Sequence, residues 1–242
     1  MLSLFSLTAS RMSLQSTHFT DMQKRSKNAQ WSYKDHGFVN DVENGYKNHT
    51  LIYLVWYQMI QRTTNPERQA RCPTYKDTWV CEEWKLFSNF LNWCLANGHR
   101  KELQLDKDIL DIGNKCYSPD TCVFVSHALN CLLIFKQSNN SGLPTGVTYQ
   151  EFNSRGYKLT KPYQVQFKIN GKKKYFGTYT TPEEAGLVYG REKSKVILDK
   201  ANNLTEEDCS LVHRKKVRLA LKNHAKSLKE ETKELYGGNT LY

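Results

Sequence analysis

Residues 163–169, Tyr-Gln-Val-Gln-Phe-Lys-Ile, alternate apolar and polar side chains, the period of a half-buried strand. Asn170-Gly171 follows, and then a second run, Lys172-Lys-Lys-Tyr-Phe-Gly-Thr-Tyr179. Asn-Gly between two such runs is a strong hairpin signal, because a type I′ turn needs positive φ at both central residues. A helix signal comes next. Thr181 suits an N-cap, Pro182 the first helical position, and Glu183 and Glu184 the positive end of the helix dipole. A hairpin running into a capped helix restricts this part of the chain to a sheet laid on one helix.

The alternation gives the sheet two unlike faces. Val165, Phe167 and Ile169 point one way, towards a helix carrying Ala185, Val188 and Tyr189. Gln164, Gln166 and Lys168 point the other way, with Lys173 and Tyr175 beside them on the next strand. That second face carries amides, ammonium groups and a phenol, and no carboxylate. Amides read base edges and cations meet phosphates, so the face suits a nucleic-acid groove. Composition alone favours a merely solvated outer face. The net charge of +11 and pI of about 9.2 favour an anionic partner, nucleic acid before membrane surface.

Gly146-Val147, Val165-Gln-Phe-Lys168, Tyr175-Phe-Gly-Thr-Tyr179 and Glu183-Glu-Ala-Gly-Leu-Val-Tyr189 together resemble the AP2/ERF-type DNA-binding domain. The resemblance implies a three-stranded antiparallel sheet on one helix, with the sheet in the major groove of double-stranded DNA. The groove-facing positions it implies are Thr148 and Gln150, then Gln166 and Lys168, then Lys173 and Tyr175. The plant members favour Arg where this chain has Thr, Gln and Lys, so their base preference does not carry over.

Upstream, a helix is expected from Thr50 to about Arg62, a loop over 63–77, and a second helix from Val80 to Ala96 with Trp84, Phe87, Leu91 and Cys94 as its apolar stripe and Gly98 as its stop. Leu103–Asp106 and Cys122–Val125 read as short strands, and Ser126 as the cap of a helix through Asn130 and Leu133. After Asp199, Thr205-Glu-Glu-Asp208 opens a long helix to about Tyr236, stopped by Gly237-Gly238. The basic run His213-Arg-Lys-Lys-Val-Arg218 on it is either a solvated face or an arm that tracks phosphates.

The segment Leu105-Asp-Lys-Asp-Ile109, Gly113-Asn114 and Asp120 to Asn130 resembles a degenerate HNH (ββα-metal) finger. Phage HNH homing endonucleases place such a finger before an Asn-x-Ser-Gly linker and an AP2-type domain, and Asn139-Asn-Ser-Gly-Leu143 keeps that order. The resemblance implies an endonuclease in which Asp106 and Asn130 hold a divalent cation, Mg²⁺ first among them. Asp108 is a helper and His127, or His99, would activate water. Lys107 stands where the family has its general-base His, and Thr121 where a metal-binding Asn is usual. A free lysine pKa near ~10.4 makes Lys107 a poor base. The alternative is a catalytically inactive DNA-binding protein, a regulator or a homing remnant.

The expected class is therefore α+β: a loose extension over 1–40, a helical and finger region over 41–135, a linker over 136–144, an AP2-like domain over 145–200, and a basic helix over 201–242. The seven cysteines are scattered without a CxxC pair, which fits reduced thiols in the cytoplasm, that of the host if the chain is phage-encoded. A zinc knot from Cys72, Cys81, Cys116 and Cys122 has no standard spacing. No apolar run reaches the length of a membrane span. Residues 1–20, with Arg11 and no acidic residue, could pass for a poor transit peptide, but read better as an extension or as chain upstream of a start at Met12 or Met22.

Overall fold

The computed structural model describes residues 32–43, 49–133 and 142–237. The helices are α1 (Thr50–Thr64), α2 (Pro66–Arg71), α3 (Phe87–Ala96), α4 (His127–Leu132), α5 (Pro182–Asn202) and α6 (Arg214–Tyr236). The strands are β1 (Trp79–Val80), β2 (Leu103–Asp106), β3 (Cys116–Tyr117), β4 (Val123–Ser126), β5 (Val147–Tyr149), β6 (Tyr163–Ile169) and β7 (Lys172–Tyr179). This is the α+β class the patterning implies. The chain divides into two compact units between Leu91 and Asn92.

The first unit is organised by Trp56, which is fully buried on α1. Its indole Nε1 donates to the Trp84 carbonyl at 2.8 Å, and the rings of Tyr33, Phe38, Tyr53 and Phe87 pack around it. The loose extension expected over 1–40 lies outside the described residues up to 31. From Ser32 on the chain is packed: Ser32 caps a 3₁₀ turn at Tyr33–His36, and Phe38 is buried. The expected loop over 63–77 is corrected too. Asn65 accepts from the N–H groups of Glu67 and Arg68 and starts α2 with Pro66 in its first turn.

The single helix expected over Val80–Ala96 is broken. A 3₁₀ turn at Glu82–Lys85 ends in extended backbone at Leu86 (φ −87°, ψ 126°). There Val39 pairs with the chain, its N–H donating to Lys85 O and its carbonyl accepting from Phe87 N. A long-range backbone pairing overrides the local helical stripe, and α3 starts only at Phe87.

The second unit has one continuous architecture. Over residues 147–179 the strand order is β5-β6-β7, antiparallel throughout. Asn170 and Gly171 take the positive φ values the turn requires, 50° and 76°. Val147, Val165, Ala185, Val188 and Tyr189 form the core between sheet and helix. Gly146 has no alternative there, because a Cβ would lie 2.1 Å from the Tyr189 ring. Thr181 caps α5 by accepting from Glu184 N.

The finger, β2 antiparallel to β4 followed by α4, shares its core with the last two helices. Ile109, Val123, Val125 and Leu129 pack with Ile197, Ala201 and Leu204 of α5 and its exit, and with Val217, Leu221 and Ala225 of α6. The long helix begins at Arg214 rather than Thr205. Asp208 turns its carboxylate back onto Thr205 N and Oγ1 and Lys200 Nζ. Residues 208–210 then run alongside β4, with Ser126 N donating to Asp208 O and Ser210 N to Phe124 O. The 136–144 linker lies outside the described residues up to 141.

Two histidines of α6 and its entry fasten the finger. His224 Nε2 is 2.6 Å from the Ile109 carbonyl. His213 Nδ1 accepts from Phe124 N at 3.3 Å, and its ring stacks on Trp93. Burial, then the charge of Lys216, pulls His213 down to about 4. A base depressed below its unfolded value near ~6.5 stabilises the fold above that pH and loses the contribution as pH falls. Thermal unfolding should therefore show stability dropping between about pH 6.5 and 4, with a shallower drop in His213→Asn.

Candidate nucleic-acid interface

Strand register decides which side chains share the outer face. Gln164 pairs with Thr148 and with Thr178, Gln166 with Tyr175, and Lys168 with Lys173. Directly opposed residues point the same way, so Thr148, Gln166, Lys168, Lys173 and Tyr175 all lie on one face, as the resemblance implies. A register shift between Gln164 and Gln166 coincides with Gly177 at φ 118°. It adds a residue to β7 and keeps the polar set together on either side of the bulge.

The amides on this face are ordered by one another. Gln164 Nε2 donates to Gln150 Oε1 at 2.6 Å, and Gln166 Nε2 reaches Thr148 Oγ1 at 3.5 Å. Tyr175 is exposed, as are Lys168 and Lys173. Three strands ~4.8 Å apart make a ribbon about 10 Å wide, which fits a major groove ~12 Å wide.

Behind the face, Phe167 stacks on Phe176 and meets Tyr189 edge-on. Lys193 of α5, buried, holds its Nζ 5.1 Å from the Phe167 ring centre. Burial lowers its pKa to about 8.

The finger has a different character. Asp106 ends β2, and its Oδ1 accepts from the N–H groups of Asp108 (2.9 Å) and Ile109 (2.7 Å). Burial pushes the Asp106 carboxyl up, opposed by those two donors. Lys107 is folded inward, with a 6% exposed side chain, in an ion pair with Asp108 at 2.6 Å. Its Nζ also donates to the Asn114 carbonyl at 2.5 Å and lies 5.8 Å from the Tyr117 ring centre. Asn114 spends its amide on the carbonyls of Lys107 and Cys116. Thr121 closes the Ser118 turn and donates to Cys116 O.

Asp106 and Asp108 thus share a turn, while His127 and Asn130 meet elsewhere. His127 Nδ1 and Asn130 Nδ2 each lie 3.4 Å from Gln104 Oε1, and Cys131 Sγ lies 3.4 Å from His127 Nε2. No hydrogen bond joins Asp106 to either of them. His99 is set against the Phe124 ring, and burial lowers its pKa. Among the described residues no three His, Cys, Asp or Glu side chains stand together as a metal set. Of the residues implied for Mg²⁺, Asp106 commits Oδ1 to two backbone N–H groups, and the Lys107 ammonium pairs with the neighbouring Asp108.

The sequence marks His213 only as the start of a basic run and gives no signal at His224; the role of both as buried anchors appears with their burial.

No known protein family matches the chain, and no curated protein and no solved structure matches it. Among the described residues no helix is long and apolar enough to cross a membrane. All seven cysteines are free thiols.

Lys107 serves here as the cation that organises the turn. Lys107→Met should lower stability by ~1–3 kcal/mol, the cost of leaving hydrogen-bonding partners unmatched. In the unaltered protein, adding Mg²⁺ or EDTA should leave the melting temperature unchanged. A metal-dependent rise would return the box to Asp106 as a ligand.

Proposed function

We propose that this protein binds double-stranded DNA through the outer face of β5-β6-β7, and that the finger braces this reader instead of hydrolysing the phosphodiester backbone. The observation that carries the reading is the carboxylate-free face itself. Gln164, Gln166 and Gln150 offer paired donors and acceptors for base edges, and Lys168 and Lys173 offer charge for phosphates. The AP2/ERF resemblance supports the same face and the same side chains.

Binding is favoured over cutting by Lys107. A general base must present a lone pair to water near neutral pH, and this side chain is buried with its donors committed to Asp108 and Asn114. The free thiols suit a reducing compartment such as the cytoplasm. The net positive charge, much of it on α6, speeds encounter with an anionic polymer.

Gln166→Ala combined with Lys168→Ala should weaken duplex binding by ~1–3 kcal/mol, roughly 5- to 150-fold, and alter which sequences are selected from a random pool. Unchanged affinity and selection would remove the sheet as the reader. Nicking of supercoiled DNA with Mg²⁺ or Mn²⁺, abolished by Asp106→Ala, would instead establish the homing-endonuclease reading.

A further inference from the structure

The connection between β5 and β6 is longer than a turn requires, yet it is fully built. Gln150 N donates to Pro162 O at 2.8 Å and Leu159 N to Glu151 O at 2.8 Å. Phe152 and Lys158 then form an antiparallel bridge, and Asn153 N donates to Tyr157 O at 2.9 Å. At the tip, Asn153 Oδ1 accepts from Arg155 N (2.9 Å) and Tyr157 N (3.0 Å). Gly156 turns the chain with φ 79°, and a Cβ there would meet nothing within 4 Å. The segment is a small second hairpin that projects into open space. Its shape is set by backbone bonds before any partner arrives, which keeps the ordering cost of binding low.

The tip presents its large side chains to solvent. Tyr157 is 69% exposed. Lys158 is paired with Glu151 at 3.4 Å, but Arg155 and Lys161 have no carboxylate within ion-pair distance among the described residues. The tip is also joined to the reading face. Gln164 Nε2 donates to Gln150 Oε1, and Gln150 Nε2 donates onward to the Phe152 carbonyl at 2.9 Å. The hairpin leaves the sheet at the Tyr149–Tyr163 pair, the end away from the Asn170-Gly171 turn. A sheet lying along the groove therefore carries the tip past the ends of its strands, where the bordering phosphodiester backbone is the surface within reach.

We propose that this hairpin is a second DNA-contact element. Arg155 and Lys161 pair with phosphates, and the Tyr157 ring lies on a deoxyribose beside them. The element carries no base preference; it sets how far the reader extends along the duplex and adds affinity for any sequence. This rests on the reading of the sheet as the duplex-binding face.

The test uses the full chain and a fluorescent mixed-sequence duplex, titrated across a salt series. Each phosphate contact contributes about 0.9 to the slope of log affinity against log salt. Arg155→Ala with Lys161→Ala should make that slope shallower by about 1.8 and weaken low-salt binding roughly tenfold or more, while the ranking of sequences selected from a random pool stays as it was. Tyr157→Ala should weaken binding with the slope unchanged. If the unaltered protein binds duplex and the Arg155/Lys161 variant keeps its slope and affinity, the hairpin is not a contact element and the sheet reading stands. If the variant changes the sequence ranking, the tip reads bases and the proposed division of labour is wrong. If the unaltered protein binds no duplex at all, both readings fall.

Discussion

The second unit depends on how closely α5 and α6 approach each other. Gly186 and Gly190 make that approach possible: a Cβ on Gly190 would sit 2.0 Å from Thr232 Oγ1, and one on Gly186 2.8 Å from the Tyr236 ring. Neighbouring positions on α5, Ala185, Val188 and Tyr189, face the strands. One helix thus carries the sheet on one flank and α6 on another. Further along, Ile197 and Ala201 of α5 and Val217, Leu221 and Ala225 of α6 close over the finger. The finger and the sheet are two ends of one helix pair.

The same helix pair holds the β2-β4-α4 unit. Here its turn is filled by Lys107, its Asp106 holds backbone N–H groups, and its underside is bolted to α6 through His213 and His224. The two histidine contacts tie this unit to the helix pair that supports the sheet. The basic side chains of α6 lie on a helix that packs against α5 rather than across the strands, so they add to the field around the molecule more than to the groove contact.

The sheet was legible because its determinants are local. Alternation over 163–169, the Asn-Gly turn and the Thr181-Pro182 cap each act within a few residues, and the register followed from them. The face residues Gln166, Lys168, Lys173 and Tyr175 came with that alternation, and Thr148 came only with the resemblance. The failures have nonlocal causes. Trp84 to Cys94 has helical spacing, but the pairing of Val39 beside Leu86 interrupts it. Thr205 to Asp208 has cap chemistry, but residues 208–210 are drawn alongside β4. Asn65-Pro66-Glu67 was a helix start that its Pro and polar neighbours disguised as loop. At the finger, the letters Asp-Lys-Asp said that a histidine was missing; only the inward fold of Lys107 showed what had taken its place.

The central claim is that the outer face of β5-β6-β7 meets duplex DNA. The most direct measurement follows the side-chain amide resonances of Gln150, Gln164 and Gln166 by NMR as a mixed-sequence duplex is added. Large shifts or broadening at these amides, with the part-buried amide of Asn114 unmoved, is the result this account predicts. Shifts confined to α6, or amides on the sheet that stay where they are while DNA binds, would contradict it.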